Sequence, residues 1–372
     1  MKSYPLVDLR QEYLSQKKEI DMAIARILNK ASFFLGEELE KFEKEFARFI
    51  GTKHALGVAS GTASIKLSLQ ALGIGRGDEV ITTPLTFIAT AEAIIAVGAK
   101  PVFVDVDGET LNIDPNKIGK AISNETKAII PVHLYGIPCD IDPILAIAKK
   151  NKLYVIEDCA QAHGSTYKGK KVGSFGDTGC FSFYAAKLLG AYGDAGAITT
   201  SNKELYKKIS LLRNHGRSAA NKNLHLVIGN TSVLDSLQAA ILAVKLRRIK
   251  ENIKKRLSRA LYYNKLLSGT EVEPMILPSG TLPSLYVYVI RVKKRAALKN
   301  YLAKKKISAG IHFPISLHLQ PSLKSLGYKK GDFPFSEKAA KEVLSLPLHQ
   351  FLTKRNQEYI VSKLTYAANL NK

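Results

Sequence analysis

The amino-acid sequence predicts an α/β protein with a mostly parallel β-sheet covered by helices, followed by a smaller C-terminal α/β domain. Three observations support this prediction. Short apolar runs alternate with helical patterns through the first 200 residues, which is typical of strands joined by crossover helices. Of the 372 residues, 46% are hydrophobic and 23% are charged, as in a soluble globular protein. The balance of charge changes near residue 200, which indicates a second unit.

Strands are predicted where apolar, often β-branched runs are bounded by Gly, Pro or Asp. The candidate strands are residues 79–83, 101–105, 126–131, 153–158, 178–182 and 195–200. Helical spacing of apolar residues predicts helices between them. The candidate helices are residues 63–72, 88–97, 115–122 and 141–151. Ligands bind at the carboxyl ends of strands in such sheets, so we expect the functional residues directly after the strands.

The second half begins with a long helical pattern over residues 235–267, followed by a predicted strand at 285–292 and a predicted helix at 296–306. We therefore expect a large domain of residues 1–240, with an N-terminal helical segment. A long connecting helix and a small α/β domain would then occupy residues 241–372.

The basic charge lies almost entirely in the second half. Residues 1–200 hold 23 Lys and Arg and 23 Asp and Glu, whereas residues 201–372 hold 32 and 9, which gives the net charge of +23. Such a charge suits a nucleic acid or a phosphorylated small molecule, because both are anions, and lysines also collect on solvated faces. We favour attraction of a nucleotide diphosphate together with solubility, and we expect no nucleic-acid partner.

The sequence also bounds the cellular setting. No uninterrupted apolar run reaches about 18 residues, and the N-terminal MKSYPLVDLRQEY lacks the apolar core of a signal peptide. The three cysteines, Cys139, Cys159 and Cys180, have no metal-type spacing and suggest free thiols. We expect a cytoplasmic protein with no membrane partner and no metal site.

Four features carry chemistry, and each is ambiguous alone. The first is the run Ser60-Gly61-Thr62-Ala63, which precedes a predicted helix. Small residues at a helix start leave backbone N–H groups available to a phosphate. The same run is also an ordinary helix cap.

The second feature is Asp158, at the end of a predicted strand and shortly before Gln161 and His163. A buried carboxylate needs a partner, and a protonated pyridine nitrogen would serve. Asp158 is equally well explained as the cap of a loop.

The third feature places Ser182 and Lys187 five residues apart, before a glycine-rich turn. Apolar neighbours disfavour the ammonium form of a lysine, which is the condition for an amine nucleophile that forms a Schiff base. The fourth feature is Phe87, which follows a predicted strand and is either a stacking ring or a core residue.

Together the four features are a phosphate cradle, a carboxylate, an amine and a stacking ring near strand ends. Pyridoxal 5′-phosphate requires this set. The sequence lacks a GxGxxG fingerprint, a Walker loop and an HExxH helix, so dinucleotide, NTPase and zinc-protease functions have no support.

The sequence resembles the DegT/DnrJ/EryC1/StrS family of sugar aminotransferases, which have the fold-type I architecture. The resemblance runs nearly end to end. It is carried by SGTAS (60–64), TTPLTFIATAEAI (82–94), PVFVDVD (101–107), IIPVHLYG (129–136), VIEDCAQAHGS (155–165), FSFYAAKLLGAYGDAGA (181–197), LRNHGR (212–217), LDSLQAAIL (234–242) and GIHFPISLHLQP (310–321). It implies a mostly parallel seven-stranded sheet in the large domain.

The resemblance also implies roles for individual residues. Lys187 matches the Schiff-base lysine that shuttles a proton, and Asp158 matches the partner of the pyridine nitrogen. Phe87 matches the ring-stacking residue, and Gln161 the partner of the phenolic oxygen. The remaining matches are Gly61, Thr62 and Ser182 for the phosphate cradle, and Tyr192, His312 and His318 for the sugar-nucleotide site.

The sequence departs from the family before the LDxxQAA helix. Thr231 stands where the family has an asparagine that reaches the neighbouring subunit's cofactor phosphate, and Val233 stands where it has an arginine. A one-residue shift would let Asn230 take the asparagine's place. Leu188 replaces a further asparagine after the lysine.

The implied reaction is transamination of a nucleotide-linked keto-sugar with glutamate or glutamine as amino donor, for amino-sugar and cell-surface polysaccharide synthesis. The AQAHG, LRNHGR and LHLQP motifs resemble the 3-amino-sugar branch more than the 4-amino branch. A deoxygenating branch has His in place of the lysine, and Lys187 argues against it. A regulatory homologue that binds the cofactor without turnover stays open because of Thr231 and Val233. The resemblance implies a homodimer with shared active sites.

Overall fold

The computed structural model describes residues 3–370, with side chains as far as residue 366. The strands of this part of the chain, β1 to β13, are His54–Val58, Glu79–Thr82, Lys100–Phe103, Thr126–Ile129, Tyr154–Asp158, Thr166–Tyr167, Lys170–Lys171, Thr178–Ser182, Gly196–Thr200, Glu273–Pro274, Thr281–Leu282, Tyr288–Arg291 and Val343–Leu346. The α-helices, α1 to α13, are Leu9–Leu14, Lys17–Lys30, Glu37–Ile50, Gly61–Ala71, Ala89–Ala96, Pro115–Ile118, Ile141–Asn151, Lys203–Leu212, Ser236–Leu246, Ile249–Leu267, Arg295–Lys304, Pro334–Glu342 and Lys354–Leu370.

The central sheet has seven strands in the order β1-β9-β8-β5-β4-β2-β3. All neighbours from β8 to β3 pair in parallel, and β9 alone runs against the others. The predicted α/β fold with a mostly parallel seven-stranded sheet is therefore confirmed. Two three-stranded sheets accompany it, β10-β12-β13 and β11-β6-β7.

Alternate side chains of the central strands enter two separate apolar cores. Val80 and Ile130 pack in one cluster with residues of α4 and α5, whereas Ile81 and Ile129 pack in another with residues of α7. Successive side chains of a strand point to opposite faces, so helices cover both faces of the sheet. This burial explains why the strands are nearly continuous apolar runs.

Strand β8 and helix α7 match the predicted bounds 178–182 and 141–151. Strand β1 is absent from the predicted strands; it lies at the edge of the sheet and pairs with β9, and its last residue, Val58, also forms an isolated bridge with Val233. The strand contains His54 and Gly57 among its five residues, so it lacks the β-branched composition by which strands were sought.

The single long helix expected over residues 235–267 is wrong, because the chain forms two helices, α9 and α10, on either side of Arg247 and Arg248. The break occurs where side chains reach the N-terminal helices. Lys245 is buried and pairs with Glu12 at 2.9 Å, and Arg248 pairs with Glu19 at 2.8 Å. Apolar periodicity cannot detect such a break, because both helices keep their apolar positions in register.

The C-terminal part places α10, α11 and α13 beside the sheet β10-β12-β13, with one shared apolar core. Strand β12 is shorter than the predicted strand 285–292. Leu285 has a positive φ of 53° and the N–H of Tyr286 donates to the carbonyl of Tyr135, so these residues turn away from the sheet. The expected domain boundary at 240/241 falls inside α9, and the division into two domains stays a prediction. None of the helices within residues 3–370 combines the length and the apolar character needed to cross a bilayer.

Candidate active site

A cavity of about 660 Å³ lies at the carboxyl ends of β5 and β8. Strand β5 ends at Asp158 and β8 ends at Ser182. The start of α4 and the segment leading to α5 supply a second wall, and residues 311–320 of the C-terminal part supply the third. The lining includes eight of the predicted site residues, namely Gly61, Thr62, Phe87, Asp158, Gln161, Ser182, Lys187 and His312.

Lys187 provides the only amine in this cavity among its described lining residues. Its backbone N–H donates to the carbonyl of Tyr184 at 2.8 Å, which fixes the turn that follows β8. The side chain is partly buried in the wall of the cavity. This burial lowers the pKa of Lys187 to about 8, and the carboxylate of Asp158 opposes the shift. A much larger fraction of the amine is therefore neutral near pH 7 than in an exposed lysine.

Asp158 is buried at the end of β5, and its exposed fraction is 5%. Its Oδ2 accepts a hydrogen bond from the hydroxyl of Thr90 at 2.8 Å, and its Oδ1 accepts one from the N–H of Ala160 at 3.1 Å. Burial raises the pKa of this carboxyl in spite of both bonds. The carboxylate thus caps a loop and also faces the cavity without a full counter-charge, which suits a cationic ring nitrogen.

The helix α4 begins at the cavity with Gly61 and Thr62. The hydroxyl of Ser60 accepts a hydrogen bond from the N–H of Ala63 at 3.1 Å, so Ser60 is a helix cap as well as a cavity residue. The amides of the first turn have no partner within the helix and favour an anion. A Cβ at Gly61 would lie 2.7 Å from the Cβ of Ser182, so only glycine permits this close approach. The arrangement fits the phosphate cradle that the sequence predicts.

Phe87 is 60% exposed and is therefore a ring at the cavity mouth, not a core residue. The ring lies 6.3 Å from that of Phe313 on the opposite wall. Gln161 accepts a hydrogen bond from the N–H of Tyr135 through Oε1 at 2.7 Å, which orients its amide and leaves Nε2 as a donor to the cavity. Both placements fit a flat, hydroxylated ring bound between them.

Three predicted site residues do not line the cavity. Asn230 bonds Lys66 and Gln70 on α4, and Tyr192 packs against Tyr13 near α9. His318 is buried, bonds Glu337 at 3.1 Å and packs on Phe333. The expectation that His318 contacts the substrate is not supported within this chain, since its neighbours Leu317 and Gln320 take that place.

His312 does line the cavity. Its Nδ1 is hydrogen-bonded to the hydroxyl of Ser345 at 2.7 Å, which sets the ring orientation. Burial and the charge of Lys187 lower the pKa of His312 to about 4, so the imidazole is neutral at pH 7. A neutral imidazole offers a hydrogen bond to a substrate without adding charge.

Several lining residues were not predicted from the sequence, among them Thr90, Tyr286, Phe313 and Gln320. Thr90 lies in a predicted helix and Tyr286 in a predicted strand, and neither has a local signal that separates it from packing residues. Tyr286, Phe313 and Gln320 reach the cavity because the C-terminal part of the chain packs against the end of the sheet.

A second buried cluster, His133, Glu157 and Cys159, brings potential metal ligands within 4.8 Å of one another. Glu157 accepts hydrogen bonds from the N–H groups of Gly173, Phe175 and Gly176, and His133 bonds it at 3.2 Å. Backbone amides therefore already satisfy this carboxylate, which supports a structural role.

Comparison with known proteins places the chain among aminotransferases. A model of the DegT/DnrJ/EryC1/StrS aminotransferase family matches residues 14–365. A "pleiotropic regulatory protein" of Geobacillus stearothermophilus is 44% identical, covering 97% of each chain. The dTDP-3-amino-3,6-dideoxy-alpha-D-galactopyranose transaminase of Aneurinibacillus thermoaerophilus is 43% identical, covering 96% of this chain and 97% of that protein.

Solved structures agree. The DesV protein of S. venezuelae, solved in complex with a ketimine intermediate, superposes with a TM-score of 0.97 at 36% identity over 99% of both chains. A putative sugar aminotransferase from Streptococcus pneumoniae, in its PLP form, superposes with a TM-score of 0.91 at 25% identity over 100% of this chain and 99% of that one.

Proposed function

Because the chain belongs to the DegT/DnrJ/EryC1/StrS aminotransferase family, we propose that it transfers an amino group from glutamate or glutamine to a nucleotide-linked keto-sugar, with pyridoxal 5′-phosphate as cofactor. The observation that carries the proposal is the meeting of Lys187 and Asp158 in one cavity. The amine there has a pKa of about 8, which suits both covalent attachment and proton transfer near neutral pH.

Each side chain of the cavity would have a separate role toward the cofactor ring. When bound, the cofactor supplies an electrophilic carbon conjugated to an electron sink. Asp158 would hold the proton on the ring nitrogen, and its burial strengthens that pairing. Gln161 would donate to the ring hydroxyl, and Phe87 would cover one face of the ring and exclude water.

The phosphate would bind at the start of α4, to the first-turn amides of Gly61 and Thr62 and to the hydroxyl of Ser182. Lys187 would then lie beside the reacting carbon, where its amine can take a proton from the donor's Cα and return it on the other carbon. No second acid or base is needed, since one neutral amine serves both steps.

The ring position aminated is proposed as C3. Relatives named for 3-amino sugars support this choice, as does the resemblance of the AQAHG and LRNHGR motifs to that branch. The 4-keto isomer is the competing substrate. We place the product in amino-sugar and surface-polysaccharide synthesis in the cytoplasm. The free thiols Cys139, Cys159 and Cys180 fit a reducing compartment.

We also propose a homodimer with shared sites. Lys187 is the one Lys or Arg among the described lining residues of the cavity, so the cavity of a single chain has few cations for a phosphate and a nucleotide diphosphate. Exposed apolar side chains are available for a second copy. They include Phe33 and Phe34 and the run Leu226, Val227 and Ile228, of which Ile228 is 94% exposed.

A cofactor-binding regulatory protein without turnover is the second candidate. The hydroxyl of Thr231 bonds His215 at 2.6 Å, and Val233 is buried in an apolar cluster. Both positions are therefore engaged within their own chain, whereas the resemblance implies that the family's asparagine reaches the neighbouring subunit's cofactor phosphate. The resemblance to a protein named as a regulator supports the same alternative.

Two measurements separate these candidates. The purified protein should show a visible absorbance band from the attached cofactor, and Lys187→Ala should abolish it. A panel of 3-keto and 4-keto sugar nucleotides, offered with glutamate, should then give an aminated product by mass spectrometry. The band without any product would favour the regulatory protein, whereas a band that survives Lys187→Ala would refute the assignment of the lysine.

A further inference from the structure

The ring of Tyr286 lies directly against the amine of Lys187. The Nζ atom is 4.4 Å from the ring centroid, within the range of a cation–π interaction. Tyr286 also lines the cavity. The aromatic face is therefore one of the groups there that can stabilise an ammonium, beside the carboxylates of Asp158 and Asp194, which also line the cavity.

Hydrogen bonds of its backbone fix the position of Tyr286. Its N–H donates to the carbonyl of Tyr135 at 2.9 Å, and its own carbonyl accepts a hydrogen bond from Nη2 of Arg256 at 2.7 Å. Arg256 also holds the carbonyl of Leu285 through Nε at 2.9 Å. These hydrogen bonds explain why Arg256 is buried, although most other basic side chains of α10 are exposed.

The ring is also held from the side. The imidazole of His312 meets it edge-on, at 5.6 Å between centroids and an interplanar angle of 80°. His312 is itself oriented by Ser345. Contacts from three separate segments thus fix the ring with its face toward Lys187. A residue that only filled space in the core would not need its ring plane fixed in this way.

We propose that the face of Tyr286 is the resting place of the Lys187 ammonium whenever that amine is free, and that Tyr286 is a positioning residue for it. This rests on the proposed function, in which the donor amine displaces Lys187 from the cofactor in each half-reaction. The released amine would take its proton from the donor's Cα, and the resulting ammonium needs a site within reach of the reacting carbons. The ring supplies that site, while burial alone would favour the neutral form.

The test uses the rate at which cofactor-stripped full-length protein takes up pyridoxal 5′-phosphate, followed by the visible band as a function of pH. The apparent pKa of this rate reports the Lys187 amine. We expect Tyr286→Leu to lower it by about one unit, because the cation loses its aromatic partner. Tyr286→Phe keeps the ring face and should leave it within about 0.2 units of the wild-type value.

The other outcomes contradict the proposal. A rise in Tyr286→Leu would mean that the ring only excludes water, and an unchanged value would mean that it does not sense the amine. A fall in Tyr286→Phe as well would assign the effect to the hydroxyl instead of the ring face. Failure of the wild-type protein to show a Lys187-dependent band would instead overturn the proposed function, so the two failures are distinguishable.

Discussion

The hydroxyl of Thr90 donates to Oδ2 of Asp158 at 2.8 Å, which ties the first turn of α5 to the end of β5. The bond opposes the effect of burial on the pKa of Asp158 and keeps more of the carboxyl ionised. It also fixes the rotamer of a group proposed to face the cofactor nitrogen. Under the proposed function, Thr90 would therefore act on a bound cofactor through the carboxylate.

Replacing Thr90 by valine should weaken cofactor binding by roughly ten-fold or more, since a hydrogen bond to a charged group contributes about 1.5–3 kcal/mol. Spectrophotometric titration of the stripped protein with pyridoxal 5′-phosphate measures the change. Thr90→Ser keeps the hydroxyl and serves as the control. Equal affinities for the valine and serine variants would show that the bond has no part in binding.

Cofactor uptake should depend on pH through Lys187. Its pKa is lowered to about 8 from 10.5 because the amine is buried. The neutral, nucleophilic fraction rises about ten-fold for each pH unit below 8 and levels off above it. The rate of covalent uptake should follow that curve. A rate that keeps rising steeply to pH 10 would show that the amine titrates like an exposed lysine.

Much of this site could be predicted from the sequence because its residues lie at the ends of recognisable strands. Asp158 and Ser182 end β5 and β8, and Lys187 follows in the adjoining turn. Local pattern and the physics of parallel sheets place such residues on one edge. The sheet order itself did not follow from the pattern, since the neighbours β9 and β1 are far apart in the chain.

The rest depends on contacts between distant segments. Tyr286 reads as a strand residue, and it enters the cavity only because Arg256 and Tyr135 hold its backbone away from the sheet. The break between α9 and α10 depends likewise on Glu12 and Glu19, which are more than 200 residues away. Neither relationship leaves a periodic signature. His318 shows the converse, since a histidine in a site-like motif is buried here and bonds Glu337 through Nε2.

Gly61→Ala should disrupt the phosphate cradle. The added methyl would lie 2.7 Å from the Cβ of Ser182, at the end of a central strand that cannot move freely. We expect cofactor affinity to fall by more than ten-fold while the fold is retained, as measured by visible titration and circular dichroism. Gly119→Ala is a matched control, because its Cβ would meet nothing within 4 Å. A Gly61→Ala protein with wild-type affinity would show that the phosphate does not bind at Gly61.

The ion pair of Arg213 with Glu43 should matter for stability. Both side chains are buried, and Arg213 also donates to the carbonyl of Gly57 at 2.7 Å. Arg213→Met leaves a buried carboxylate without its cation, which costs about 3–5 kcal/mol. Denaturant unfolding measures the loss. The exposed pair Lys207–Glu204 is the control, and Lys207→Met should change stability by less than about 1 kcal/mol. Similar small changes in both variants would contradict the expected role of burial.

Ile228→Asp should separate the proposed dimer. The side chain is 94% exposed in the single chain and adjoins the exposed Leu226 and Val227, so a carboxylate there would be buried without a partner if a second copy covers it. Light scattering should show the variant shifting toward monomer, with transaminase activity lost in proportion. Leu261→Asp, on the exposed face of α10 and 53% exposed, is the control and should keep both mass and activity. A monomeric but fully active Ile228→Asp protein would show that each chain builds a complete site alone.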